Sequence, residues 1–293
     1  MYIYSKILLF TSSTCLSREN VFRDARGPYC FMPCYNKPFR VESTMAARED
    51  IIICAHRGAP TETPENTMAS FRHAQESGAK MIEMDLRRTA DGRGVVIHDK
   101  TVNRTTNATG RVDSFSEDRI RELDAGAWFA SRFAGQRIPL LDEVLEWASG
   151  AGAVLNVELK DPEIMEFAVR RIQAHDLLER VMLSSWHIPA LAEARKLEPG
   201  VRIAPILFTG RKLRAVAREL KPNAAMIWSG PALTPKTVSA AVALGVPVLA
   251  WLVNTRKLLD RVLARGVEGV ITDEVGLVTA AMNNSARKKD KST

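Results

Sequence analysis

Eight short, nearly uninterrupted apolar runs, each followed by a stretch with helical period, constrain this chain most. The runs cover residues 51–56, 81–86, 154–159, 181–185, 203–208, 225–228, 248–253 and 270–272. A strand that is apolar on both sides needs cover on both faces, which is the condition of a parallel sheet. The intervening helical stretches, residues 64–77, 141–148, 163–175, 189–197, 213–220, 235–244, 256–264 and 275–282, supply that cover. Eight such units favour a closed (β/α)8 TIM barrel over an open doubly wound sheet. The open sheet would also need a glycine-rich phosphate loop after its first strand. Here that strand runs into His56-Arg57-Gly58-Ala59-Pro60, with neither GxGxxG nor GxxxxGK[ST] behind it. Residues 95–98 read as a further short strand. Residues 100–139 are polar and rich in Thr and Gly, with one helical piece near 117–123, and form a small insertion after the second strand.

Of the 293 residues, 49–283 make the barrel domain. Residues 1–48 differ: aromatics, prolines and cysteines are scattered without a period of 2 or 3.6. The apolar stretch 7–10 is broken at Thr11, too early for a secretory signal core. This segment is read as a poorly ordered extension or a misassigned start, with Met45 as the natural beginning. Residues 284–293 form a basic tail holding Arg287, Lys288, Lys289 and Lys291, part of a net charge of +7. That charge suits a solvated tail and attraction for phosphate. No helix-turn-helix, zinc-finger or RRM signature accompanies it, so no nucleic-acid partner is expected. No apolar run approaches the roughly 18 residues of a membrane-spanning helix, so no integral membrane segment is expected. The 4 cysteines include no CxxC pair, and Cys54 lies inside an apolar run as a small buried side chain. This pattern suits a reducing, cytoplasmic setting.

Chemistry in such a barrel gathers where strands end. His56 and Arg57 close the first run, Glu83 and Asp85 the second, His98 and Asp99 the short strand, and Glu158 and Lys160 the next. Glu83 and Asp85 are two residues apart and so share one face of their strand. Two carboxylates pointing inward together repel unless a cation or a proton neutralises them. Glu158 supplies a third carboxylate beside Lys160. Oxygen ligands without cysteine favour a hard divalent cation, Mg2+ or Ca2+. His56 and His98 titrate near neutrality and form a candidate acid/base pair. Arg57 and Lys160 are candidate phosphate contacts, and Arg57 is also free to pair with Glu83 or Glu158. Asp99 is expected to orient His98 or its loop. His73, His175 and His187 share no strand end with a carboxylate pair and are expected to be structural or solvated.

These residues fall in ordered motifs. His56-Arg57-Gly58 and Pro64-Glu65-Asn66-Thr67 come first, then Gly78-Ala79, Ile82-Glu83-Met84-Asp85 and Thr89-Ala90-Asp91-Gly92. Val95-Val96-Ile97-His98-Asp99, Asn103-Arg104-Thr105-Thr106, residues 138–145 and Asn156-Val157-Glu158-Leu159-Lys160 continue the order. Trp251-Leu252-Val253-Asn254 and residues 266–273 close it. Over roughly residues 51–280 the chain resembles the glycerophosphodiester phosphodiesterase family. The resemblance implies cleavage of glycerophosphodiesters, small-molecule substrates, to an alcohol and sn-glycerol 3-phosphate with a divalent cation. It makes Glu83, Asp85 and Glu158 metal ligands, His56 and His98 the acid/base pair, and Arg57 and Lys160 phosphate contacts. It places Trp251 beside the substrate, where barrel packing explains it equally well. Glu65 and Asn66 would support the site from their loop, unless Asn66 only caps the helix. Arg87 and Arg88 follow Asp85 where less basic residues are common. Ser185-Trp186 stands where Ser-Phe is frequent, and Leu252 where Thr often sits. The short insertion leaves room for a sizeable alcohol group. A lysophospholipase D-type relative would need an apolar groove at the mouth. A non-catalytic phosphate-binding barrel would lack a His or a carboxylate, and none is missing.

Overall fold

The computed structural model describes residues 51–290, with side chains through residue 283. The expectations for residues 1–48 and for the side chains of the basic tail lie outside the described residues. The strands are β1 (Ile52–Ala55), β2 (Met81–Arg88), β3 (Gly94–Val96), β4 (Leu155–Leu159), β5 (Val181–Ser185), β6 (Arg202–Leu207), β7 (Ala225–Trp228), β8 (Val248–Trp251) and β9 (Gly269–Thr272). Eight of them run parallel in the order β1-β9-β8-β7-β6-β5-β4-β2, and pairing of β1 with β2 closes the ring. The eight expected starts lie within one residue of those observed. β3 alone is antiparallel and hangs on the far end of β2.

The helices are α1 (Met68–Glu76), α2 (Glu117–Arg121), α3 (Leu141–Ala151), α4 (Met165–Ala174), α5 (Ile188–Leu197), α6 (Leu213–Leu220), α7 (Pro235–Val242), α8 (Arg256–Leu263) and α9 (Val275–Asp290). One boundary departs from expectation for a local reason. The first helix, read from sequence as 64–77, starts at Met68, because Asn66 adopts a left-handed φ of 55° and Thr67 caps the helix by accepting from the Ser70 amide. Residues 64–66 are thereby freed to reach the barrel mouth. The backbone of α9 continues to Asp290, past the expected domain end at 283. No helix among the described residues is long and apolar enough to cross a membrane.

Two apolar clusters follow from the two faces of each strand. The larger joins strands to helices and includes Ile53, Met84, Leu155, Leu183, Val248 and Phe71. Truncating one of its fully buried leucines to Ala costs about 2–5 kcal/mol. The smaller fills the barrel interior with Ile52, Cys54, Met81, Met182, Ala204, Ile206, Met226, Leu249 and Ile271. Because alternate residues share a face, going two or four residues further along each strand reaches the interior layer at the mouth. That layer contains His56, Asp85, Glu158, Trp186, Phe208, Trp228, Trp251 and Asp273. The insertion builds its own small core of Val95, Ile97, Val102, Val112, Ile120 and Ile138.

Candidate active site

The turn after β1 sets the position of the first residues. The His56 amide donates to Thr272 O at 2.9 Å, extending the β1–β9 ladder by one step. Arg57 (φ 55°) and Gly58 (φ 88°) then reverse the chain. A Cβ on Gly58 would stand 2.2 Å from Ser70 Oγ, the atom that accepts from the Ala59 amide at 2.8 Å, so only glycine fits. The reversed backbone lets the Arg57 amide donate to Glu83 Oε2 at 2.8 Å. Its guanidinium meets Glu65 at 3.0 Å and Asp85 at 3.3 Å. Arg57 is therefore paired by its side chain with Glu65 and Asp85 rather than with Glu83 or Glu158.

Three carboxylates converge beside it. Glu83 and Asp85 do not end their strand as expected. β2 runs on to Arg88, because its far half pairs with β3, and both carboxylates sit inside it. Asp85 lies in register with Glu158 of β4. One oxygen from each of the three lies within 4.8 Å of the other two, and all three residues are buried. Lys160 Nζ stands 2.7 Å from Glu158 and 3.0 Å from Asp85. Asn66 donates to Asp85 Oδ2 at 2.8 Å, so it holds a carboxylate and does not cap the helix. Glu83 Oε1 has no hydrogen-bond partner, and Asp85 Oδ1 meets only the Lys160 ammonium.

The electrostatics follow from this crowding. Burial and the charge of Asp85 push Glu83 up to about 8. Burial and Asp85 likewise raise Glu158. Burial acts to raise Asp85 as well, but Lys160 and Arg57 outweigh it and hold that carboxyl well below its usual range. One member of the trio thus stays ionised and the others resist ionising. Were all three ionised, Lys160 and Arg57 could not neutralise them, which is why two of the carboxyls are held up. Oxygen-only donors, the unpartnered Glu83 Oε1 and the mutual repulsion of the carboxylates together fit a hard dication.

Each candidate histidine is held by an aspartate. His56 Nδ1 lies 2.7 Å from Asp273 Oδ1, and His98 Nδ1 lies 2.7 Å from Asp99 Oδ1. In both, Nε2 is left for other chemistry. Burial lowers the pKa of His56, but the Asp273 bond and the charge of Glu83 outweigh it, and the net shift is upward. For His98 burial prevails over the charge of Asp85, and the shift is downward. Arg104 ties Asp99 (2.8 Å) to Glu65 (2.7 Å). Arg87 anchors the His98 loop by donating to His98 O at 2.7 Å. His73 meets Glu62 and His175 meets Asp142, both away from the carboxylate trio.

Trp251 is half-buried in the interior cluster and touches Trp186 and Phe208. Asp273 and its support, Asn254, received no role from the sequence. Asn254 Oδ1 accepts from the Asp273 amide at 2.9 Å, and its amide nitrogen donates to Asp273 Oδ2. A signal did exist: Asp273 lies two residues beyond interior Ile271, so alternation alone points it into the mouth.

Known proteins are similar to this chain over most of its barrel. A curated protein from Caldanaerobacter subterraneus subsp. tengcongensis, named glycerophosphodiester phosphodiesterase, is 37% identical over 76% of this chain and 94% of its own length. A protein of the same name from Bacillus altitudinis is 36% identical over 75% and 94%. The solved structure of an Oleispira antarctica phosphodiesterase, in complex with the product sn-glycerol-3-phosphate, superposes with a TM-score of 0.74 at 28% identity, covering 79% of this chain and 96% of that one. Residues 56–277 match the sequence model of the Glycerophosphoryl diester phosphodiesterase family, and the chain belongs to that family.

Proposed function

We propose that this enzyme hydrolyses glycerophosphodiesters to an alcohol and sn-glycerol 3-phosphate, with Mg2+ or Ca2+ held by Glu83, Asp85 and Glu158. The convergence of three buried carboxylates, with Glu83 Oε1 left unpartnered, carries this reading. When bound, such a cation supplies Lewis-acid stabilisation of charge on non-bridging phosphate oxygens. A dication would let all three carboxylates ionise and would leave the site attractive to a phosphodiester monoanion. The product in the Oleispira antarctica relative is the one this reading expects.

The chain's own groups divide the remaining work. Arg57 and Lys160 lie on two sides of Asp85 and present cationic donors to phosphate oxygens. His56 and His98 exchange protons through Nε2 with the attacking and leaving oxygens, while Asp273 and Asp99 fix their tautomers. Their pKa values are displaced in opposite directions, His56 upward and His98 downward, which suits them to different proton-transfer roles. Trp251 flanks the alcohol or glycerol. The test is hydrolysis of a glycerophosphodiester panel by chelator-treated enzyme, with and without added Mg2+ or Ca2+. Release of glycerol 3-phosphate only with the ion is expected. Undiminished release in EDTA removes the metal from the reading, and no release with any ion removes the activity.

A further inference from the structure

Two groups that must meet one phosphate stand on separate loops. Arg57 follows β1 and His98 follows β3. β1 pairs with β2 at Met81 and Ile82, whereas β3 pairs with it at Leu86 to Arg88, so no ladder joins the two loops among the described residues. Side chains bridge them instead. Arg104, from the insertion, donates through Nε and Nη2 to Asp99 at 2.8 and 3.1 Å. Through Nη1 and Nη2 it donates to Glu65 at 2.7 and 2.9 Å. Asp99 Oδ1 meets His98 Nδ1 at 2.7 Å, and Glu65 Oε1 accepts from Arg57 at 3.0 Å. One run of contacts thus leads from His98 through Asp99, Arg104 and Glu65 to Arg57, and ends on Asp85 at 3.3 Å. Its charges alternate from Asp99 onward.

Ordinary surface pairing does not account for Arg104. An isolated exposed ion pair contributes little. Here one guanidinium grips two carboxylates from different segments, and Glu65 is only 11% exposed. Paired bonds to each carboxylate fix its plane as well as its place. The bond from Arg104 is the chief cause that holds the Asp99 carboxyl down at about 2. Burial acts to raise Glu65, but Arg104 and Arg57 outweigh it and the net shift is downward. Both carboxylates therefore stay ionised at neutral pH and keep their grip. The backbone of the His98 loop is anchored separately, by Arg87, which donates to His98 O and pairs with Asp161. What is left for Arg104 to govern is the aim of two side chains, the His98 ring and the Arg57 guanidinium.

We propose that Arg104 is a positioning residue that sets the His98 imidazole and the Arg57 guanidinium in one frame, through Asp99 and Glu65, so that proton transfer and phosphate grip are aimed together. This rests on the hydrolase reading above for the roles of the two ends. Cutting the run at Asp99 releases the ring alone, and cutting it at Glu65 releases the guanidinium alone. Without Arg104 both are released. Glu65 then competes with phosphate for Arg57, and Asp99 is free to turn away from Nδ1. A lysine keeps the charge but cannot hold two carboxylates by their planes.

The test compares Asp99→Asn, Glu65→Gln, Arg104→Gln and Arg104→Lys on glycerophosphocholine, with circular dichroism as the folding control. Asp99→Asn should lower kcat by roughly 10- to 100-fold, the cost of a misaimed group, and leave KM within about threefold. Glu65→Gln should raise KM by roughly tenfold, as lost phosphate grip implies. Arg104→Gln should do both, and Arg104→Lys should recover less than about a third of either loss. Adding Arg104→Gln to Asp99→Asn should lower kcat no further, because the ring is already free. Fully additive losses, a change in only one parameter for Arg104→Gln, or unsubstituted-like kinetics in Arg104→Lys would each overturn the frame. Nitrogen NMR of the imidazoles reads the same frame without turnover. The neutral His98 ring, identified by its absence in His98→Ala, should carry its proton on Nδ1 in the unsubstituted chain and lose that preference in both Arg104 variants. An unchanged tautomer would overturn the proposal. A tautomer that depends on Arg104 in a chain that hydrolyses no glycerophosphodiester would leave the frame standing and remove the hydrolase reading instead.

Discussion

Asp273→Asn separates a positioning role from a merely structural one. Asp273 Oδ1 lies 2.7 Å from His56 Nδ1 in a partly buried pair, with side chains 21% and 17% exposed. Its other oxygen accepts from Asn254. An amide at this position keeps the shape but not the charge. Its oxygen stays with the Asn254 donor, so its NH2 faces His56 Nδ1. That contact requires a bare Nδ1 and moves the imidazole proton to Nε2. A hydrogen bond to a charged group is worth about 1.5–3 kcal/mol. Losing the anion destabilises only the imidazolium, so the pH limb that His56 governs should move to lower pH, by about one to two pH units. The misplaced proton should also reduce kcat/KM by about 10²- to 10⁴-fold, the range of general acid–base assistance. The assay is kcat/KM for glycerophosphocholine from pH 4 to 10, with circular dichroism as the folding control. A fall in rate with the limb unmoved would make Asp273 structural, and a rate within threefold of the unsubstituted enzyme would refute the reasoning altogether.

His56→Ala and His98→Ala should each lose about 10²- to 10⁴-fold in kcat/KM with unfolding temperatures preserved, and wild-type-like turnover in either removes it from the acid/base pair. Glu83, held at about 8 in the folded chain against 4.5 as its ordinary value, destabilises the metal-free fold increasingly as pH rises between those values. Glu83→Gln removes that penalty. Thermal unfolding in EDTA should therefore show the variant gaining on the unsubstituted protein from pH 5 to 8, while calorimetry shows its Mg2+ or Ca2+ binding lost. Parallel pH profiles for the two proteins would contradict the buried-carboxylate account. Gly58→Ala places its Cβ against Ser70 at positive φ and should destabilise by about 2–4 kcal/mol in urea unfolding, whereas a neutral effect would mean the turn yields easily.

Much of the fold was legible because each barrel strand is a local object. Its length, its two apolar faces and the helix behind it are written in consecutive residues, so the eight expected starts fall within one residue of the observed ones. The first helix was less legible, since Asn66 turns left-handed to reach Asp85, a partner 19 positions away. β2 was read too short because its far half is stabilised by β3, which propensity along β2 does not register.

For the site, the alternation of side chains within a strand already fixed that Glu83 and Asp85 share a face, and strand polarity fixed that polar ends meet at one mouth. Those are properties of a few covalently linked residues. What each charge pairs with depends on distances between separate strands and loops. Arg57 reaching Glu65 and Asp85, Asn254 bracing Asp273 behind His56, and four aromatic rings meeting across β5 to β8 arise only when the ring closes. The sequence determined which side chains face inward, because that is a matter of backbone geometry along one strand. Only the tertiary structure decided which of them touch, because barrel closure and register bring together residues more than 200 positions apart, as with His56 and Asp273.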